Sequence, residues 1–122
     1  FKISGFGADG TAGVAGWEEG ALSTLNSLVK LAPNFAEAWN RRATVYYLMG
    51  NLEASIEDCQ KVLALEPRHF GALVGLGQIY VILNRRDEAK RVLQRALAAH
   101  PNLAGAKTLL EAVDKMDGGR EL

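Results

Sequence analysis

The sequence predicts an all-α fold, a stack of antiparallel helix hairpins ended by one further helix, and three observations predict it. Pro33, Pro67 and Pro101 recur at a spacing of 34 residues. Aligned on these prolines, the chain brings Ala36, Phe70 and Ala104 together, then Trp39 with Leu73, and Tyr46 with Tyr80; Leu25, Cys59 and Leu93 form a further set, as do Leu28, Val62 and Ala96, and Leu31, Leu65 and Ala99. Within each unit apolar residues recur at three and four positions, the period of one helix face, and Gly50 or Asn84 divides the unit into two helix-length halves.

Taken in order, residues 1–16 carry glycine at 5, 7, 10, 13 and 16. A glycine in a helix interior costs about 1 kcal/mol relative to alanine, so this stretch is expected to be a flexible segment and not a helix. The array then opens in mid-repeat, with Trp17 to Ala32 as the second helix of a hairpin whose first helix is absent or replaced. Its Ala21, Leu22, Leu25, Leu28 and Val29 share one broad face. Pro33 stops that helix, because proline has no amide donor and clashes with the preceding turn. Asn34 offers a side-chain acceptor to the next helix, placed at 36–49. Gly50 and Asn51 make the turn into a partner helix at 53–65, whose Glu57 and Lys61 stand at i and i+4 on the wet side. The same pattern returns at 70–83 and 86–99, with Asn84 at the turn.

The final helix, 103–116, differs in kind. Ala106, Leu109, Leu110, Val113 and Met116 make one apolar stripe, and Lys107, Thr108, Glu111, Asp114 and Lys115 fill the other side. A one-sided helix is what solvates the end of a stack. Residues 117–122, DGGREL, read as a frayed tail. The organisation expected is therefore a glycine-rich segment at 1–16, an array at 17–116 made of a partial repeat (17–35), two full repeats (36–69 and 70–103) and a capping helix (103–116), and a tail.

A chain of 122 residues is one domain's worth and buries about 65% of its unfolded surface on folding, enough for a core without staples. The 14 Lys and Arg balance the 14 Asp and Glu, so no global field draws in nucleic acid or an anionic membrane, and neither is expected as a partner. The single cysteine excludes an internal disulfide and the clustered-thiol zinc sites, which fits a cytoplasmic or other reducing compartment. No apolar run of about 18 residues is present to span a bilayer. The chain begins at Phe1 and not at Met, from which a fragment or a processed chain is expected.

Most of the conspicuous residues are explained by stacking. Small residues such as Ala43, Gly77 and Ala89 allow two helices to approach to about 8–10 Å, and Trp39, Tyr46 and Tyr80 fill the space beside them. Cys59 aligns with Leu25 and Leu93 and reads as a buried hydrophobe. His69 and His100 read as surface loop residues; separated by 31 positions and without a Cys or acidic ligand at metal spacing, they make no zinc site. The sequence has no G-x-S-x-G, P-loop or H-E-x-x-H, so no catalytic residue, metal or cofactor is assigned. Arg85, Arg86, Lys90, Arg91 and Arg95, against Asp87 and Glu88, read as a solvated basic face, with an RNA or acidic-partner patch as the weaker alternative.

With its period of 34, Trp or Leu early, Tyr seven residues later, small residues at the helix crossing and a closing Pro, the chain resembles the tetratricopeptide repeat. The central unit meets that pattern at Trp39, Ala43, Tyr46, Gly50, Ile56, Leu63, Leu65 and Pro67, and the next at Leu76, Gly77, Tyr80, Ala89, Ala96, Leu97 and Pro101. Departures are Arg42 for the usual Leu, Ser55 for Ala and Asn84 for Gly. The resemblance covers roughly residues 17–116 and implies a right-handed superhelical α-solenoid. It also implies a non-catalytic scaffold that binds a peptide segment or partner protein in a concave groove lined by the first helix of each hairpin. Carried over position by position, the groove residues are Glu37, Asn40, Thr44 and Tyr47, then Gly71, Val74, Gln78 and Val81, with Thr108 from the capping helix and Arg41 at the edge. Their three- and four-residue spacing puts them on one helical face. This mixed lining suits an amphipathic helix or an extended segment with one or two apolar anchors. The Lys and Asn clamp by which chaperone-binding members grip a terminal carboxylate is matched poorly: Arg41 stands where its first Asn belongs, one residue from Asn40, and Gly71 and Gly75 stand where later basic residues belong. An accessory domain of a larger enzyme and a self-assembling structural array are the alternative readings.

The open end sets one further expectation. Leu22, Leu25 and Val29 would be left wet if no helix preceded them, and full burial of each is worth about 1.5–3 kcal/mol. Cover is expected from Phe1, Ile3, Phe6 and Val14 folding back, or from a homodimer through residues 17–32. The dimer is preferred because ordering a glycine-rich segment is entropically costly.

Overall fold

The computed structural model describes the backbone of residues 11–121 and the side chains of residues 16–116. Helices α1 (Thr11–Leu31), α2 (Ala36–Leu48), α3 (Leu52–Leu65), α4 (Phe70–Ile82), α5 (Arg86–Ala99) and α6 (Ala104–Glu121) account for nearly all of it, and no strand occurs among the described residues. The bounds of α2 to α5 agree with expectation to within one residue, because each is set by local chemistry that repeats. At the hairpin turns Gly50 (φ 81°) and Asn84 (φ 61°) adopt the left-handed conformation. Around them the amides of Asn51 and Arg85 donate to the carbonyls of Tyr46 and Tyr80 at 2.8 and 2.7 Å, and those of Gly50 and Asn84 to Tyr47 and Val81 at 3.0 Å. This is the Schellman arrangement twice over, and Asn serves where Gly is usual because its short polar side chain tolerates that backbone.

Between hairpins the three prolines occupy equivalent turns. The amides of Phe35, His69 and Leu103 each donate three residues back, to Ala32, Glu66 and His100, at 3.0–3.1 Å. Proline pre-sets the second position of such a turn. The cap expected from Asn34 is not made: the N-cap of α2 is Phe35, which has no side-chain acceptor. At the equivalent position of α4, His69 does the capping, its Nδ1 accepting from the Ala72 amide at 3.1 Å. His69 is thus a half-buried capping residue and not merely a surface loop residue.

Two expectations about glycine fail in the same way. Helix α1 begins at Thr11 and so takes in Gly13 and Gly16, and α6 runs on through Gly118 and Gly119 to Glu121 where a frayed tail was expected. In both cases the glycines stand at the outer end of a helix whose inner turns are held by packing, α1 on α2 and α6 on α5, so the costly nucleus is supplied by the rest of the array. The expected fold-back of Phe1, Ile3 and Phe6, like the rest of residues 1–10, lies outside the described residues, as does the side chain of Val14, whose backbone belongs to α1.

Helices α2 and α3 pack as one hairpin and α4 and α5 as the next; α3 lies on α4, α5 on α6, and α1 on α2. The hairpins close on small residues. A Cβ on Gly77 would stand 2.6 Å from Leu93 Cδ2 and 2.8 Å from its Cγ, so any larger residue would have to displace the buried Leu93 where α4 crosses α5. At the equivalent crossing of α2 and α3 the hydroxyl of Ser55 donates to the Ala43 carbonyl at 2.7 Å, which satisfies the polar group that a departure from Ala brings into the core. Leu73, Leu76, Ile79, Leu93, Val62 and Val113 are fully buried, and Cys59 joins them as expected. Leu25 and Val29 are also buried, because α1 turns that face onto α2, where Ala38 and Val45 are buried in turn. Their cover comes from within the chain, and the energetic motive for a dimer through 17–32 shrinks to the half-buried Ala21, Leu22 and Leu28 and the exposed Trp17 and Leu31.

Candidate functional site

The first helices of the hairpins, α2 and α4, present one side to an open depression of about 450 Å³ that the start of α6 closes. Six of the expected groove residues meet there: Asn40, Thr44 and Tyr47 from α2, and Gly71, Val74 and Gln78 from α4. Asn40 and Thr44 also border a second depression, of about 540 Å³, between α1 and α2, and it is this one that Glu37 and Arg41 line, together with Trp17 and Thr24. Glu37 and Arg41 pair with each other at 3.3 Å, and Glu37 Oε1 lies 3.8 Å from His69 Nε2. Val81, half-buried, and Thr108, exposed, line neither depression. Helix α6 contributes only at its beginning, through Gly105, Ala106 and the preceding Leu103, so a position one turn further on is past the wall.

The apolar walls were missed by position-by-position transfer. Leu48, half exposed at the end of α2, and Phe70, half exposed at the start of α4, stand at the two rims, and Cys59 and Ile79 lie at the back. A signal was available for two of them: Leu48 aligns with Ile82, a second exposed apolar residue one period on, and Phe70 is the large member of a set otherwise filled by alanine. No lining side chain of the main depression is charged. Burial pushes the Cys59 thiol up to about 11, with the nearby Asp58 adding to the shift, so the group is the neutral, weakly nucleophilic thiol at neutral pH.

The charges are instead used on other faces. Arg42, at a position where the repeat usually has Leu, donates from Nε and Nη2 to both oxygens of Asp58 at 2.8 and 2.9 Å, and from Nη1 to Asn26 Oδ1 at 3.0 Å. It thereby ties α1, α2 and α3 together, with the rings of Trp39 and Tyr46 beside its guanidinium. Trp39 is half-buried against the core, as expected of it, and donates from its indole to the Pro33 carbonyl at 2.8 Å. At the N-cap of the basic helix α5, Arg85 forms a two-pronged pair with Glu88 at 2.7 and 2.8 Å and lies over Tyr80; hydrogen bonding to Arg85 holds the Glu88 carboxyl below its ordinary value. Lys90 reaches Asp114 at 3.6 Å, and Arg95 donates to the Pro67 carbonyl. Among the described residues no group of three or more His, Cys, Asp or Glu could hold a metal, and no helix is long and apolar enough to cross a membrane.

Comparison with known proteins gives the same architecture. Sequence models of the tetratricopeptide repeat match residues 36–69 and 70–103. A TPR repeat-containing protein of Rhizobium etli is 51% identical over 81 residues, which are 66% of this chain and 40% of that protein. The crystal structure of MamA superposes with a TM-score of 0.79 at 26% identity, covering 86% of this chain and 61% of the other. The first TPR domain of Spaghetti (RPAP3), bound to the HSP90 peptide SRMEEVD, superposes with a TM-score of 0.80 over 85% of this chain and 82% of the other, at 21% identity, a likeness of fold. The chain spans less than half the length of the first curated relatives it matches. With two successive repeat models over the two hairpins, paired Schellman turns 34 residues apart and this superposition, the chain belongs to the tetratricopeptide repeat family.

Proposed function

We propose that this chain is a non-catalytic protein-interaction scaffold that takes a peptide segment of a partner protein in the groove between α2, α4 and the start of α6. The observation that carries the reading is the convergence of six groove positions on one open depression, while the aromatic and small residues of the hairpin interfaces are spent on packing. Uncharged walls with Asn40, Thr44 and Gln78 among them suit a segment that offers backbone hydrogen-bonding groups and apolar side chains. They do not suit an acidic chain terminus such as that of the HSP90 peptide: the groove lining has no cation, and the nearby Arg41 is paired with Glu37. Chaperone-tail capture is therefore no part of the proposal.

The test separates binding from folding. Peptides selected on the wild-type protein from a displayed random library should lose affinity on Tyr47→Ala or Asn40→Ala, with stability unchanged to within about 0.5 kcal/mol, the usual range for surface changes. Tyr80→Ala, by contrast, removes a buried ring and should cost about 3–5 kcal/mol. A loss of stability at Tyr47 as large as that at Tyr80, read by thermal melting, would place Tyr47 in the core and not in the groove.

A further inference from the structure

We propose that Gly75 is the specificity-determining residue of this groove, keeping open a pocket for one uncharged, apolar side chain of the partner peptide. The inference rests on the groove reading above and deepens it. Helix α4 carries three glycines, and the fold accounts for two. Gly77 has Leu93 pressed against it, 2.6 Å from where a Cβ would stand. At Gly71 a Cβ would meet Cε1 of the capping His69 ring at 3.0 Å, tighter than ordinary contact. Gly75 has neither reason: a Cβ there would meet only Cys59 Sγ, at an unstrained 3.9 Å, and its φ is not positive. Mid-helix glycine is nonetheless unfavourable relative to alanine, so at this position the sequence gives up stability for which packing shows no return.

What the missing side chain leaves is space on the concave side. Gly75 lines the main depression, with Phe70 and Val74 from its own helix, Tyr47 and Leu48 opposite, and Leu103 closing the end. The charge pattern identifies the occupant. A charged side chain entering here would shed its hydration without meeting a counter-charge, whereas an apolar one of leucine to tryptophan size displaces water from apolar walls. Such a buried anchor is where a peptide's binding energy concentrates.

The experiment uses the full chain and peptides selected on it from a displayed random library. The selected peptides are expected to share one Leu, Ile, Met, Phe or Trp whose change to Lys abolishes binding. Gly75→Leu, which fills the pocket, should weaken them about tenfold or more. Gly75→Ala should weaken them less while melting a few degrees higher than wild type, which separates lost space from lost fold. Peptides that are sensitive to Tyr47→Ala but indifferent to Gly75→Leu, or that share no apolar position, would overturn the role of Gly75 and leave the groove standing. Peptides indifferent to Tyr47→Ala, Asn40→Ala and Gly75→Leu alike, or a library that yields no binder, would count against the groove reading as well.

Discussion

Replacing Arg42 by alanine is expected to destabilise the protein by about 3–5 kcal/mol, a large share of the roughly 5–15 kcal/mol that holds a domain folded. The side chain of Asp58 is only 5% exposed and that of Arg42 17%, so this pair is not the surface kind that contributes little. Both carboxylate oxygens are taken by the guanidinium at 2.8 and 2.9 Å; without it the carboxylate stays buried and unpaired. The loss also frees Asn26 and with it the polar tie from α1 to the first hairpin. Because the repeat usually has Leu at this position, the double change Arg42→Leu with Asp58→Ala should recover most of the loss: an ion pair replaced by apolar side chains is often neutral or better. Urea denaturation of the wild type and the two variants checks this. An Arg42→Ala variant within about 1 kcal/mol of wild type would mean that the pair is solvated and that α1 docks by its apolar face alone.

Ending the chain after Pro101 is expected to leave a poorly soluble protein that no longer melts cooperatively. Helix α6 packs on α5 and also on α4, and its Ala106 and Val113 are completely buried. Without it the α4/α5 hairpin, which includes Leu93, Ala96 and the half-buried Leu97, loses part of its cover. Each large side chain returned to water forfeits about 1.5–3 kcal/mol, and in a repeat array no distant element can make up the difference because units touch only their neighbours. The truncation also removes Leu103, Gly105 and Ala106, one end of the groove. Sedimentation and thermal melting of residues 1–101 decide the matter: a soluble fragment with a cooperative transition would show that α6 is not a cap.

The repeat was legible because its determinants are local and recur. Prolines at three equivalent turns, a left-handed residue at two others and small residues at two crossings locate α2 to α5 to within a residue. The start of α1 and the end of α6 were not legible, since a glycine's penalty can be read from sequence but the nucleus that a packed helix supplies depends on what is already folded. In the groove, the helical face came from spacing, whereas its apolar rims, Leu48 and Phe70, come from how the helices splay, which no single-helix pattern contains. Arg42 stood out only as a departure; its partners, Asp58 and Asn26, each lie 16 residues away on other helices, and only the packing of three helices brings them together.

The central claim, that the concave face and not the outer face meets the partner, is tested most directly by titrating a library-selected peptide into isotope-labelled protein and mapping the backbone amide shifts. Shifts concentrated at Asn40, Thr44, Tyr47, Val74, Gly75 and Gln78, with the exposed sides of α3 and α5 unmoved, are the predicted result. Shifts centred on the exposed residues of α3 and α5, such as Glu57, Lys61, Arg91 and Arg95, with the groove amides unmoved, would contradict it.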